Sequence, residues 1–329
     1  GTTTIEKGTL ALSGGDNRLP PGTVVMLGGG GPDPVGTLKL NGCSQELAGL
    51  WTADYDNGAT AGNRVINGSA TPCTLTLNIE HGRQDQFDGT LGGGGQNENN
   101  FAVKITGGGG LWLRRSITWT GGTTIEEGSL ELNSSWWQGN EAYGTFRIGK
   151  GATFAVSGVV SPLTFNGVTV EFLSGGAGTL TNRGSWDWFD WKANGGMTIR
   201  STGGERNLFN AAPNYSLAIN WSDLYCDIAR GSDATCDLLV SIPLGGYGGI
   251  IKQGNGIMTL SGGNSYNGAT SVNGGTLLVD GSTAAASAVT LVSGATLGGS
   301  GWVGGAITVP GGATLAQGST AGATLTAGC

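Results

Sequence analysis

Residues Ile250–Val309 read IIKQGNGIMTLSGGNSYNGATSVNGGTLLVDGSTAAASAVTLVSGATLGGSGWVGGAITV. Short runs, Thr270–Val272, Thr276–Val279, Val289–Val292 and Ala306–Val309, sit between glycine or asparagine corners. Alternation at period two over a few residues marks a strand with one buried face, and the Gly and Asn pairs supply the turns. The phrase Gly-(Ala)-Thr-Leu recurs at Leu277, Leu297 and Leu315, a spacing of about 20 and then about 18 residues. Such an interval is too long for a hairpin and too short for a strand-helix-strand unit with its crossover. It fits one turn of a solenoid whose strands stack on those of the coil before.

Within this stretch, Lys252-Gln-Gly-Asn-Gly-Ile-Met-Thr-Leu-Ser-Gly-Gly-Asn264-Ser-Tyr266-Asn-Gly268 resembles the autotransporter passenger-associated strand repeat, whose form is close to K-x-G-x-G-x-L-x-L-S-G-x-N-x-Y-x-G. Ser293-Gly-Ala-Thr-Leu-Gly-Gly-Ser-Gly-Trp-Val-Gly-Gly resembles the coil that often follows it. Gln317 departs from the pattern, since relatives commonly carry Pro there. The resemblance implies an all-β, right-handed parallel β-helix in a protein that is secreted or displayed at the cell surface.

The composition narrows the function. Charged residues are 12% of the chain and the net charge is −7, so the clustered Lys and Arg that nucleic acid or anionic lipid requires are missing. Arg114-Arg115 is the only basic doublet. No apolar run approaches the length that a membrane-spanning helix needs, so no transmembrane helix is expected. With neither a leader nor a membrane barrel in it, the sequence reads as a processed piece of something longer.

Taken in order, the chain repeats itself. Gly1-Thr-Thr-Thr-Ile-Glu-Lys-Gly8-Thr-Leu-Ala-Leu is matched by Gly121-Gly-Thr-Thr-Ile-Glu-Glu-Gly128-Ser-Leu-Glu-Leu and by Gly268-Ala-Thr-Ser-Val-Asn-Gly-Gly275-Thr-Leu-Leu-Val. Cassettes therefore lie near 1–12, 104–132 and 250–282, with Lys104, Leu113 and Trp119 in the places of Lys252, Leu260 and Tyr266. Pro20-Pro21 and the Gly28–Pro34 segment mark loops that leave the coil, because proline cannot donate to a ladder. Irregular, Trp-rich insertions fill about 135–249, with strands expected at Thr145–Ile148, Ala152–Val156, Val168–Phe172, Met197–Ile199, Leu217–Ile219 and Leu238–Ser241. Nothing marks a flexible linker, so residues 1–329 read as a single elongated domain of ~15 coils, ~70 Å long at ~4.8 Å per coil.

Familiar catalytic patterns are sparse. His81 is the only histidine, which removes most nucleophilic triads and any multi-histidine metal site. The glycine-rich stretches lack the helix or the Gly-Lys-Ser/Thr that phosphate binding needs, and no metal or cofactor is expected. Asp54/Asp56, Asp187/Asp190 and Asp223/Asp227 are local carboxylate pairs of the kind glycosidases use, but Asp also ends strands cheaply. Ser185-Trp186-Asp-Trp188-Phe-Asp-Trp191 is the most unusual local feature. Exposed, Trp186, Trp188 and Trp191 would offer a stacking platform for sugar rings or a partner; buried, they would plug a bulge between coils, as would Trp112, Trp119, Trp136 and Trp137.

Five cysteines in a secreted chain point to bridges with one left over, whereas a reducing compartment would leave all five as small buried side chains. Cys226–Cys236 would clip one insertion, Cys43–Cys73 would link stacked coils, and Cys329 is the odd one. The leading expectation is a non-enzymatic, extracellular structural protein. The alternatives are an adhesin or glycan-binding passenger domain and, third, a polysaccharide-active enzyme. Neither end carries a polar cap. The β-prone residues Thr2, Thr4 and Ile5 at one end, and Thr324, Leu325 and Cys329 at the other, would join copies head to tail into a filament. The bland alternative makes both ends processing boundaries.

Overall fold

The computed structural model describes residues 1–29, 34–53, 62–115, 117–133, 141–142, 144–157, 164–184, 191–194, 196–316 and 325–327. Among them no α-helix occurs, and the strands pair in parallel. Consecutive strands belong to different sheets and each pairs with a strand one coil away, which is the topology of a parallel β-helix. The chain divides into two compact units, Gly1–Asn140 with Ala152–Ser161, and Glu141–Gly151 with Pro162–Cys329.

In the first unit, one sheet runs through Gln45–Leu47, Cys73–Asn78, Phe101–Thr106 and Thr123–Ile125. A second runs through Gln84–Phe87, Gly110–Leu113, Ser129–Asn133 and Thr153–Ser157. The inward residues stack in register, Leu47 on Leu77, Ile105 and Ile125, and Phe87 on Leu113, Leu132 and Val156. Each is buried, contributing about 1.5–3 kcal/mol of apolar transfer.

The second unit is built the same way on four sheets, the smallest holding Ser282–Thr283, Trp302–Val303 and Thr326–Ala327. One carries Thr145–Ile148, Thr169–Phe172, Thr198–Ser201, Leu224–Ile228, Ile250–Gln253, Thr270–Val272, Val289–Leu291 and Ile307–Thr308. The next carries Thr179–Gly184, Asn207–Ala211, Leu238–Val240, Ile257–Leu260, Thr276–Val279, Thr296–Gly298 and Thr314–Leu315. A third holds Glu141–Ala142, Thr164–Asn166, Trp191–Asn194, Leu217–Ile219 and Leu244–Gly246. Leu277, Leu297 and Leu315 are direct register partners, as their recurrence in the sequence predicts. Leu277 and Leu297 are fully buried; Leu315, in the last described rung of that sheet, is 54% exposed.

Coil length varies where the sequence reads as irregular. Thr145 pairs with Thr169 and Thr169 with Thr198, so these two coils are unequal and both longer than those of the cassettes, yet register is kept. On the outer face of these rungs Arg147, Glu171, Arg200 and Asp227 alternate in sign along one column. Arg147 reaches Glu171 at 3.1 Å and Arg200 reaches Asp227 at 3.6 Å. Exposed pairs add little stability, but a slipped strand would part each cation from its carboxylate.

Corners close tightly. A Cβ on Gly281 would collide with the carbonyl of Gly262, and one on Gly301 with the carbonyl of Gly281, so of this glycine column Gly281 and Gly301 admit only glycine.

Candidate functional site

The cassette at 250–282 concentrates the buried polar chemistry. Lys252 lies on the inward face of Ile250–Gln253, fully buried, in a column whose other members are Ile199, Cys226, Val272 and Leu291. Its Nζ donates to the carbonyls of Gln253 at 3.2 Å, Gly254 at 2.9 Å and Gly274 at 2.9 Å, the last being one coil further on. Burial pulls its pKa down to about 8, against the neighbouring Cys226, Asp237 and Asp227, which favour the charge. The Cys226 thiol opposite is pushed up to about 12 by burial.

Asn264 ties three coils together. Its Oδ1 accepts from the Leu244 amide at 3.0 Å, and its Nδ2 donates to the carbonyls of Gly262 and Ser282, both at 2.9 Å. Tyr266 is fully buried, with its hydroxyl 2.7 Å from Thr270 Oγ1, which lies 3.3 Å from Ser287 Oγ. Burial raises the Tyr266 pKa. In the cassette at 104–132 Trp119 takes this role, donating from Nε1 to Thr123 Oγ1 at 3.0 Å. The lysine does not carry over. Thr123 and Thr270 are equivalent, and their partners are Val103 and Ile250, so Ile105 holds the Lys252 place. Lys104, one residue earlier, faces outward and pairs with Glu126 at 2.8 Å, because a one-residue shift along a strand exchanges its faces.

Residues 106–132 and 250–279 match the family described as Passenger-associated-transport-repeat. Over these two segments the chain is similar to a passenger-associated-transport repeat. The match suggests an autotransporter passenger domain, and with it a secreted or surface-displayed protein, and the repeat is not a known enzyme family. No curated protein and no solved structure gives a significant match to the chain. Among the described residues, no helix is long and apolar enough to cross a membrane.

Around the passenger-associated-transport repeats, the sites predicted from sequence are dispersed. Cys43, Cys73, Cys226 and Cys236 are all buried free thiols. Neither expected bridge is formed, and Cys226–Cys236 is the poorer pairing. Cys226 lies in Leu224–Ile228, whereas Cys236 precedes Leu238–Val240, and the residues between them turn from one sheet to the next. Cys43 and Cys73 precede the partners Gln45 and Leu75 by two residues each, so they occupy equivalent places on adjacent coils. Burial pushes the Cys73 thiol up to about 11, with the adjacent Cys43 adding to the shift.

Asp223 accepts the Gly249 amide at 2.7 Å and Asp227 pairs with Arg200, so this carboxylate pair is spent on the fold. Asp54, Asp56, Asp187, Asp190, Trp136, Trp137, Trp186, Trp188, Thr324 and Cys329 lie outside the described residues. The Trp191 backbone opens Trp191–Asn194 and pairs with Leu217. Thr2 and Thr4 are exposed and Ile5 is buried in Thr2–Ile5, which among the described strands pairs only with Val24–Leu27; Leu325 is half-buried. No group of three or more His, Cys, Asp or Glu able to hold a metal occurs among the described residues. Among the described residues, the aromatics that stand in solvent are Trp221, Tyr247 and, in part, Trp51, Trp302 and Tyr225, none of which the sequence marks as a site.

Proposed function

We propose that this chain is a non-enzymatic structural passenger, working outside the cell as a stiff scaffold. The observation that carries the reading is the use of its buried polar groups: Lys252, Asn264 and Asp237 each bond the main chain of a neighbouring coil. A catalytic site keeps such groups free for substrate; here they join one coil to the next. Incubation with acidic and neutral polysaccharides, followed by assay of new reducing ends and unsaturated products, tests it. No turnover is expected, and turnover of any of them overturns the reading.

Self-association is the finer form of this proposal. Sparsely charged, β-prone strands such as Thr2–Ile5 build the coils, and a strand edge of this kind favours pairing with another chain. Sedimentation over a wide concentration range should show growing species, and a monomer at every concentration removes this form while leaving the scaffold reading intact.

A further inference from the structure

Besides Trp302, which is 44% exposed on another sheet, three described aromatic side chains stand out from the second unit. Trp221 is 88% exposed, Tyr247 78% and Tyr225 40%. They belong to one corner. Trp221 follows Leu217–Ile219, and Tyr247 follows Leu244–Gly246, the strand paired with it, with Ile219 opposite Gly246. The Gly248 amide donates to the Ile219 carbonyl at 2.9 Å, and a Cβ on Gly248 would collide with the carbonyl of Ser222. Trp221 and Tyr247 therefore occupy the same corner on consecutive coils, about 4.8 Å apart along the stack. Tyr225 faces outward a few residues on, and a Cβ at Gly196 would lie 3.8 Å from its ring and 3.9 Å from Ser222 Oγ. The Ser222 hydroxyl is itself buried without a hydrogen-bond partner.

The fold gains little from Trp221. Its φ of 65° lies in the left-handed region, which costs a bulky side chain about 1–2 kcal/mol, and the indole recovers almost none of that by burial. Glycine or asparagine would make this turn without the penalty. Strain retained under an exposed aromatic side chain points to binding.

We propose that Trp221, Tyr247 and Tyr225 form a binding platform for a neutral carbohydrate, stacking against the apolar faces of its sugar rings. The inference goes beyond the scaffold reading and does not depend on it. Size argues for a small ligand. At 150–250 Å² per aromatic side chain, three partly exposed rings offer at most roughly 500 Å², below the about 800 Å² per partner of a stable protein interface. Charge argues for a neutral one. Asp223 is taken by the Gly249 amide and Asp227 by Arg200, and no cluster of described cationic side chains adjoins the rings to hold a phosphate or an anionic lipid.

Affinity electrophoresis through gels containing xylan, galactomannan, mixed-linkage β-glucan or starch, with pectate as the acidic comparison, tests the proposal. At least one neutral polysaccharide should retard the protein and pectate should not. Trp221→Ala and Tyr247→Ala should each weaken binding by roughly tenfold, since each removes a stacking ring worth more than about 1 kcal/mol. Trp221→Gly should weaken retardation as much as Trp221→Ala does without lowering the unfolding temperature, which separates lost binding from lost structure. No retardation by any neutral polysaccharide, or retardation unchanged in the variants, overturns the proposal. So does a dimer or a phosphatidylcholine-vesicle interaction that Trp221→Ala abolishes, because either would give the corner to a different occupant.

Discussion

Replacing Lys252 with methionine should make the stability difference between variant and wild type depend on pH. The ammonium is fully buried among apolar neighbours and donates to three carbonyls. Burial holds its pKa at about 8 against 10.5. Between those values the native chain binds fewer protons at this site than the unfolded chain does, so native stability rises as pH rises through the window. Each tenfold change in proton affinity is worth about 1.36 kcal/mol, so the full gain is about 3 kcal/mol. Methionine nearly matches the lysine in length and carries no proton, so the gain vanishes. At pH 7 the substitution has two opposed effects. Removing the buried charge favours the variant by roughly 3 kcal/mol, while three carbonyls losing a donor cost about 1 kcal/mol each. The two proteins should then be nearly equal. At pH 10 the native lysine is neutral and most of the burial penalty on its charge is gone, so the variant should be the weaker by about 2 kcal/mol. The thiols of Cys73 and Cys226, raised to about 11 and about 12, slope the other way above pH 9, because the unfolded chain releases those protons first. They are present in both proteins and cancel in the comparison. Guanidinium unfolding followed by circular dichroism at pH 7 and pH 10 reads the difference. An unchanged difference refutes the buried ammonium.

Leu297→Ala should cost about 2–5 kcal/mol in chemical denaturation, since Leu297 is fully buried between Leu277 and Leu315; a soluble, folded Leu297→Asp would refute the ladder. Asn264→Asp keeps the shape but loses both donated bonds, so it should destabilise by about 2–4 kcal/mol, and an unchanged midpoint would count against the three-coil tie. Cys226 should resist a thiol-disulfide reagent at pH 8 in the native protein and react once the chain is unfolded; prompt native labelling would contradict its burial. Under mild oxidation, peptide mapping should find Cys43 linked to Cys73 in preference to Cys226 linked to Cys236, because adjacent rungs about 4.8 Å apart fall within the disulfide range.

The repeated cassettes are legible because three signals coincide in them: alternation, corner glycines and a recurrence on the scale of one solenoid coil. Leu217–Ile219 is a strand with the predicted bounds, and Thr145–Ile148 likewise. Thr179–Gly184 and Asn207–Ala211 do not stand out as strands in the sequence, since Asn182 and Asn207 interrupt their apolar face and the coil length changes beside them. Lys104 matches Lys252 by letter, whereas pairing places Ile105 there, and residue identity carries no information about which face is inward. Distance along the chain also misleads the pairing of Cys226 with Cys236. In a coil, residues one full turn apart are neighbours, while residues half a turn apart sit on different faces. Trp221 and Tyr247 are inconspicuous because each is a lone aromatic beside glycine or serine, and only the strand pairing sets them side by side.

The glycine column at Gly262, Gly281 and Gly301 bears on how such a gene can change length. Gly281 faces the carbonyl of Gly262 and Gly301 that of Gly281, so the contact is the same at both steps. A deletion running from one glycine to the next removes a whole repeat unit and rejoins surfaces that already fit. A cut of half that length would bring a side chain against a carbonyl. Tolerated insertions and deletions in this part of the chain should therefore cluster at multiples of about 19–20 residues, so the protein can lengthen or shorten only in discrete steps.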